Sequence, residues 1–337
     1  MYNSVRKAMI MAAGVGSRLE PLTKNLPKPL VPVVNKPVMD ILLEKLHKLG
    51  IDDVIANTFY HAQQIIERYK ENNLGINFNC ITEETLSGTA GGLKKCQFFF
   101  EEGEDFIVLS ADGLFNADIT KGIKAHHKSG AVATIGIKRV STEEVPNFGV
   151  VVTDERGYVT EFQEKPSIAD AKSDCINTGI YIFNYKIFDY IPENTFYDFA
   201  KNVFPKLLAD GEINTFEVTE YWSDIGTLEQ YAASVQDVFT GLCKLDYEKP
   251  VRTETGSLIA GDSIIPASVK FIGNSTIGSG CVLGENSVIE NCIIWDNVRI
   301  DSGVSLSNCI IASDCVICTD LSNKVLGSGQ TAAKIPA

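Results

Sequence analysis

Apolar residues along the first 240 positions fall alternately into short runs and into helical spacing. Residues 8–13 read as a buried strand that runs into a Gly-rich turn. Val38, Ile41, Leu42, Leu46 and Leu49 then recur at helical spacing, between a Pro37 that starts the helix and a Gly50 that stops it. Further strands are predicted at 54–59, 76–81 and 106–110, and helices at 61–70 and 91–100. Strands alternating with helices over about 240 residues predict an α/β domain with a Rossmann-like, mostly parallel sheet.

After Pro250 the pattern changes to a beat of six. Val282, Val288, Ile294, Ile300 and Leu306 form one row, and Val298, Val304, Ile310 and Val316 form a second. Ile277, Leu283 and Ile289 keep the same beat one residue out of register, which predicts an irregular coil near Ile293. Neither helix nor alternating strand has period six, and the intervening Gly, Asn, Asp and Ser supply tight turns. The segment is therefore expected to form a left-handed parallel β-helix of hexapeptide repeats. The expected domains are residues 1–245 (α/β), 246–325 (β-helix) and 326–337 (a flexible tail).

Composition narrows the class. With 45% hydrophobic and 22% charged residues the 337-residue chain is globular, and its net charge of −13 offers no basic face for a nucleic-acid backbone. A few focused cations can still hold a polyanion in an acidic protein. No stretch approaches a membrane span, and the apolar run before Gly14 is too short for a signal sequence. Nine cysteines, an odd number, suit reduced thiols and a cytoplasmic location. Cys315 and Cys318 form a CxxC without a second pair, so packed thiols are expected rather than zinc ligands.

The segment Gly14 to Pro37, GVGSRLEPLTKNLPKPLVPVVNKP, carries the most chemistry. Gly14 and Gly16 let the backbone approach anionic oxygens, Arg18 and Lys28 add mobile positive charge, and prolines 21, 27, 29 and 32 stiffen the loop. The segment lacks the Gly-Lys-Ser/Thr of a P-loop and the third glycine of a dinucleotide fingerprint. Asp112 directly follows a predicted strand, at the carboxyl end where ligands bind in open α/β sheets.

Taken whole, the segment resembles the signature of the sugar-1-phosphate nucleotidylyltransferases. The resemblance continues through GTAGG at 88–92, LSADGLFNAD at 109–118, NFGVV at 147–151, FQEKP at 162–166, NTGIYIF at 177–183 and WSDIGT at 222–227, in the family's order. Hexapeptide repeats behind such a domain are also familiar there. These enzymes join a sugar-1-phosphate to the α-phosphorus of a nucleoside triphosphate and expel pyrophosphate, so two polyanions meet among stabilising cations.

The resemblance implies that Arg18 grips the leaving pyrophosphate, Lys28 the reacting phosphates and Lys165 the attacking sugar phosphate. It implies Mg²⁺ on Asp112 and Asp224. Gly14, Gly16, Gly88 and Glu84 would meet the nucleotide, and Gly149, Glu164 and Asn177 the sugar hydroxyls. Two residues depart from the family pattern: Ala111 stands where glycine is usual, which suits a position without positive φ, and Glu20 stands where a basic residue is common, so it is expected to face solvent.

The motifs look closest to mannose-1-phosphate guanylyltransferases, with glucose-1-phosphate thymidylyl-, uridylyl- or adenylyltransferases as alternatives. A non-catalytic nucleotide-sugar-binding regulator is the competing class; it is disfavoured because all five candidate catalytic residues are present. An acyltransferase β-helix would need a histidine base. All four histidines, at 47, 61, 126 and 127, precede the repeats. His126 and His127 are expected at a helix end on the surface. The repeats are thus expected to be structural or regulatory, or to serve a homo-oligomer interface.

Overall fold

The computed structural model describes residues 5–71, 74–245, 251–253 and 256–333. The first strands are β1 (Lys7–Ala12), β2 (Pro32–Val33), β3 (Lys36–Pro37), β4 (Asp53–Thr58), β5 (Asn77–Thr82) and β6 (Asp105–Ser110). They are followed by β7 (Gly113–Phe115), β8 (Ala133–Arg139), β9 (Gly149–Thr153), β10 (Val159–Glu164), β11 (Cys175–Asn184), β12 (Ile213–Glu217) and β13 (Trp222–Asp224). The helices are α1 (Val38–Lys48), α2 (Ala62–Glu71), α3 (Gly88–Lys95), α4 (Ile119–Ser129), α5 (Phe204–Ala209) and α6 (Leu228–Thr240).

The chain divides into two compact units. One comprises Met1–Gly14 with Leu42–Asp224, and the other Val15–Ile41 with Ile225–Ala337. The sequence pattern implied a single cut near residue 245, beside residues 246–250, which lie outside the described residues. The signature segment and α6 instead belong with the repeats.

In the first unit, β1, β4, β5 and β6 are mutually parallel, with β1 between β6 and β4. Strand β11 runs antiparallel to β6, β8 and β9, so the Rossmann-like parallel strands continue into a mixed sheet. Every antiparallel strand pair of this sheet involves β9 or β11, and β9 and β10 are joined as a hairpin, whereas β8 and β12 are parallel. Its core is aliphatic and aromatic: Phe106 stacks on Phe100 with centroids 3.9 Å apart, and Met9, Val108 and Phe183 are fully buried around them. Among the described residues no helix is long and apolar enough to cross a membrane.

In the second unit the repeats form three parallel ladders, as expected of a β-helix. Thr276 pairs with Ile293 and Ile293 with Ile310, so these coils take 17 residues rather than three full hexads. The missing residue is lost at one corner, where Asn291 and Asn308 adopt left-handed φ of 48° and 51°, a conformation asparagine tolerates. The inward row is accordingly Ile277, Leu283, Ile289, Ile294, Ile300, Leu306, Ile311 and Ile317, all at most 3% exposed. This reconciles the two out-of-register rows and corrects one of them, since Val282 is 37% exposed.

Two positions before each inward aliphatic lies a second buried column that includes Cys281, Cys292, Val298, Val304, Cys309 and Cys315. Burial pushes the Cys281 thiol up to about 11. The ladder extends to Val325–Leu326 and Thr331–Ala332, so residues 326–332 belong to the stack rather than to the expected tail. Residues 334–337 lie outside the described residues.

Candidate active site

Within the second unit, the signature segment folds into two short 3₁₀ turns, Ser17–Leu19 and Lys28–Leu30. Gly16 has φ +73°, and a Cβ there would stand 2.9 Å from the Cβ of Lys28, so only glycine lets the two turns close on each other. Thr23 Oγ1 donates to the Gly16 carbonyl at 2.8 Å and fixes that closure. Arg18 is exposed and Lys28 half-buried, while Leu19, Leu22 and Leu30 anchor the loop beneath them. Glu20 is exposed, as expected. Gly14 is exposed, with open space where a side chain would be.

The first unit holds the carboxylates. Strand β6 ends at Ser110, and the amide of Ala111 donates to the Met11 carbonyl at 3.1 Å, which steers the chain toward β7. Ala111 is buried and is absent from the positive-φ residues, so alanine replaces the family's glycine without strain. Strand β13 pairs antiparallel with β7 in a register that sets Asp224 opposite Gly113, next to Asp112. Both carboxylates are half-buried. Trp222 fixes the approach of β13: its Nε1 donates to the Thr178 carbonyl at 2.9 Å, and its ring meets Phe148 edge-on at 5.6 Å.

Those same contacts organise the three candidate sugar residues. In the β9–β10 pair Glu164 stands opposite Gly149, and its Oε2 lies 3.4 Å from where a Gly149 Cβ would be. Any side chain at 149 would meet the Phe162 ring at 2.8 Å. Asn177 lies one residue beyond the Ile176–Val150 pair that joins β11 to β9. Its Nδ2 donates to Tyr181 Oη at 2.9 Å and its Oδ1 accepts from Gly179 at 3.1 Å, leaving one hydrogen and one lone pair uncommitted by these bonds. Burial keeps the Tyr181 hydroxyl protonated by raising its pKa. Lys165 is exposed at φ +50°, its amide donating to the Phe148 carbonyl at 3.2 Å.

Of the residues expected to meet the nucleotide, Glu84 is exposed, and its neighbour Glu83, for which the sequence suggested no role, is 4% exposed. Glu83 accepts from Asn57 Nδ2 at 2.7 Å, Ser87 N at 3.1 Å, Lys95 Nζ at 3.0 Å and the Ser87 hydroxyl. Burial alone would raise its pKa; the hydrogen bonds from Ser87, Asn57 and Lys95 outweigh it and hold the carboxyl below its ordinary value. Asn57 Oδ1 in turn accepts from Ala12 N at 3.2 Å, so Glu83 braces the end of β1. The signal available in the sequence was the pair of helix glycines: a Cβ at Gly92 would stand 2.4 Å from Asn57 Nδ2. Gly88, at φ +78°, has its absent side chain directed at the Tyr197 carbonyl, 2.4 Å away, so packing alone demands glycine there.

One expectation is overturned. His126 is not a surface residue but 2% exposed, its Nδ1 bonded to Thr134 Oγ1 at 2.9 Å and its Nε2 3.5 Å from Asp105. Helix α4 packs this face against the sheet, and Asp118 caps its start by accepting from Thr120 N. Asp105 also accepts from Asn184 and faces His127; these partners overcome the effect of burial and lower its pKa.

An open α/β sheet with acids at neighbouring strand ends, and a β-helix following in sequence, defines an α/β protein with a hexapeptide-repeat extension. The chain belongs to the nucleotidyl transferase family, whose sequence pattern matches residues 7–240; a GlmU-like C-terminal hexapeptide pattern matches residues 245–327. It is 36% identical over 331 residues to a UTP–glucose-1-phosphate uridylyltransferase of Synechocystis sp., covering 89% of this chain and 85% of that one. It is 30% identical over 299 residues to a mannose-1-phosphate guanylyltransferase of Mycobacterium tuberculosis, covering 88% and 81%. Among solved structures it is similar to HddC from Yersinia pseudotuberculosis complexed with GMP-PN, with TM-score 0.59 and 26% identity over 69% of this chain and 100% of that one.

Proposed function

We propose that the protein transfers a nucleotidyl group from a nucleoside triphosphate to a sugar-1-phosphate, with mannose-1-phosphate and GTP as the substrates. The observation that carries the reaction class is the register of β7 and β13, which sets Asp224 opposite the residue that follows Asp112, in a chain of the nucleotidyl transferase family. Several relatives named mannose-1-phosphate guanylyltransferase favour the particular substrates. The Synechocystis relative favours glucose-1-phosphate and UTP as the second reading.

In the reaction, an oxygen of the sugar phosphate attacks the α-phosphorus, a new phosphoanhydride forms and the α–β bond breaks to release pyrophosphate. Arg18 and Lys28 hold the triphosphate and take up charge on the departing pyrophosphate. Lys165 holds the attacking phosphate, while Glu164, Asn177 and Gly149 receive the sugar hydroxyls. Gly14, Gly16, Gly88 and Glu84 form the nucleotide side.

Asp112 and Asp224 suit Mg²⁺: two hard oxygen donors are a usual protein share, the remainder coming from phosphate and water. When bound, the ion supplies electrostatic stabilisation of phosphate oxygens. The β-helix further suits self-association into a homo-oligomer, since its ladder ends expose unpaired backbone. Pyrophosphate release across four nucleoside triphosphates and several sugar-1-phosphates tests the reading. Activity confined to UTP with glucose-1-phosphate selects the second one.

A further inference from the structure

The segment that carries Arg18 and Lys28 is anchored at three points to elements that follow residue 225. Tyr231, fully buried on the first turn of α6, donates from its hydroxyl to the Pro32 carbonyl at 2.8 Å and accepts from Trp295 Nε1 at 2.8 Å. Trp295 belongs to a coil of the β-helix, immediately after the buried Ile294. The β2–β3 hairpin turns on Val34 and Asn35, both left-handed at φ 48° and 67°, and this turn presents Asn35 so that its Nδ2 donates to the Ile277 carbonyl at 2.8 Å. A β-branched valine at positive φ is disfavoured and persists only where surrounding contacts fix it. At the far end of the stack Gly327 packs on the loop: a Cβ there would stand 2.9 Å from the Pro21 carbonyl.

We infer that Tyr231, Trp295 and Asn35 are positioning residues for the phosphate loop, so that the β-helix sets the geometry of Arg18 and Lys28 although it supplies no group to the reaction. This rests on the triphosphate role proposed above for those two cations. A charged group displaced by about 1 Å can cost about 10²-fold in rate, which gives a remote anchor leverage over catalysis. The three contacts lie at coils containing Ile277, Trp295 and Gly327, so they are spread along the stack and resist rotation of the loop about any one of them.

The test uses the full chain. Tyr231→Phe removes one oxygen, and Asn35→Asp removes the donor while keeping a residue type that accepts left-handed φ. Gly327→Ala places a methyl against Pro21. Hydrogen exchange is read in residues 15–37 and in coils 276–332, alongside KM for the triphosphate and for the sugar phosphate. Both polar variants are expected to speed exchange in 15–37 about tenfold, the cost of a stranded hydrogen-bond partner, with the coils unchanged. KM for the triphosphate should rise and KM for the sugar phosphate stay put. Asn35→Asp keeps the test decisive if Tyr231→Phe fails to fold. Unchanged exchange in 15–37 overturns the inference whatever the activity, as does faster exchange with equal KM changes for both substrates. If the wild type transfers no nucleotide to any sugar phosphate, the functional reading fails alone and the exchange result still decides the anchoring.

Discussion

Asp224 stands opposite Gly113, one residue along the chain from Asp112, in the β7–β13 pair. Backbone register thus brings acids from two distant motifs to neighbouring positions. Asp112→Asn and Asp224→Asn are each expected to cut turnover by about 10²-fold or more, because each removes charge from the proposed metal site. Neither should shift the melting temperature appreciably, since both side chains are half-buried rather than core. Turnover against Mg²⁺ concentration checks this; near-normal Mg²⁺-dependent rates in both variants contradict it.

Arg18→Ala and Lys165→Ala should fail differently. Arg18 sits in the Ser17–Leu19 turn of the second unit and Lys165 at the end of β10 in the first. Loss of Arg18 should chiefly weaken use of the triphosphate, and loss of Lys165 use of the sugar phosphate. Separate KM measurements distinguish them, and matching defects toward both substrates contradict the assigned roles.

Glu83 makes stability depend on acid. Its folded carboxyl titrates below the ordinary value of 4.5, so its contribution is fully present above that pH and is lost as pH falls through the folded pKa. Glu83→Gln should therefore destabilise the protein by about 1–3 kcal/mol at neutral pH, the cost of leaving buried donors poorly matched. In denaturant titrations the gap between variant and wild type should narrow as the solution is acidified below 4.5. A gap that is constant from neutral to acid contradicts this account.

Asp105 provides the contrasting case. It begins β6, at the opposite end of the strand from Ser110, and serves His126, His127 and Asn184. Asp105→Ala should lower stability by about 1–3 kcal/mol while leaving both KM values unchanged. A selective KM change would tie this cluster to the reaction.

Much of this architecture was legible in the sequence because it rests on local rules. Strands such as β1 and β6 announce themselves as short apolar runs, and the six-residue beat has no other common explanation. The residue missing from the two coils between Thr276 and Ile310 was visible only as a slipped register, and it falls at the corner of the left-handed Asn291 and Asn308. His126 was misjudged since helix-end position says nothing about the face that packs, and here that face meets Thr134. Glu83 and Glu84 are adjacent acids with no local difference; burial separates them, and burial depends on Asn57 and Lys95 arriving from elsewhere. Likewise, nothing near Asn35 signals that its amide ends on Ile277.

The central claim is nucleotidyl transfer to a sugar-1-phosphate. The most direct measurement incubates the purified full chain with Mg²⁺, mannose-1-phosphate and GTP, and follows pyrophosphate and nucleotide-sugar together. Equal amounts of both, abolished in Asp112→Asn, are predicted. Nucleotide or nucleotide-sugar binding without pyrophosphate release, for this pair and for every other triphosphate and sugar phosphate tried, would contradict the account and mark the chain as a non-catalytic binding protein.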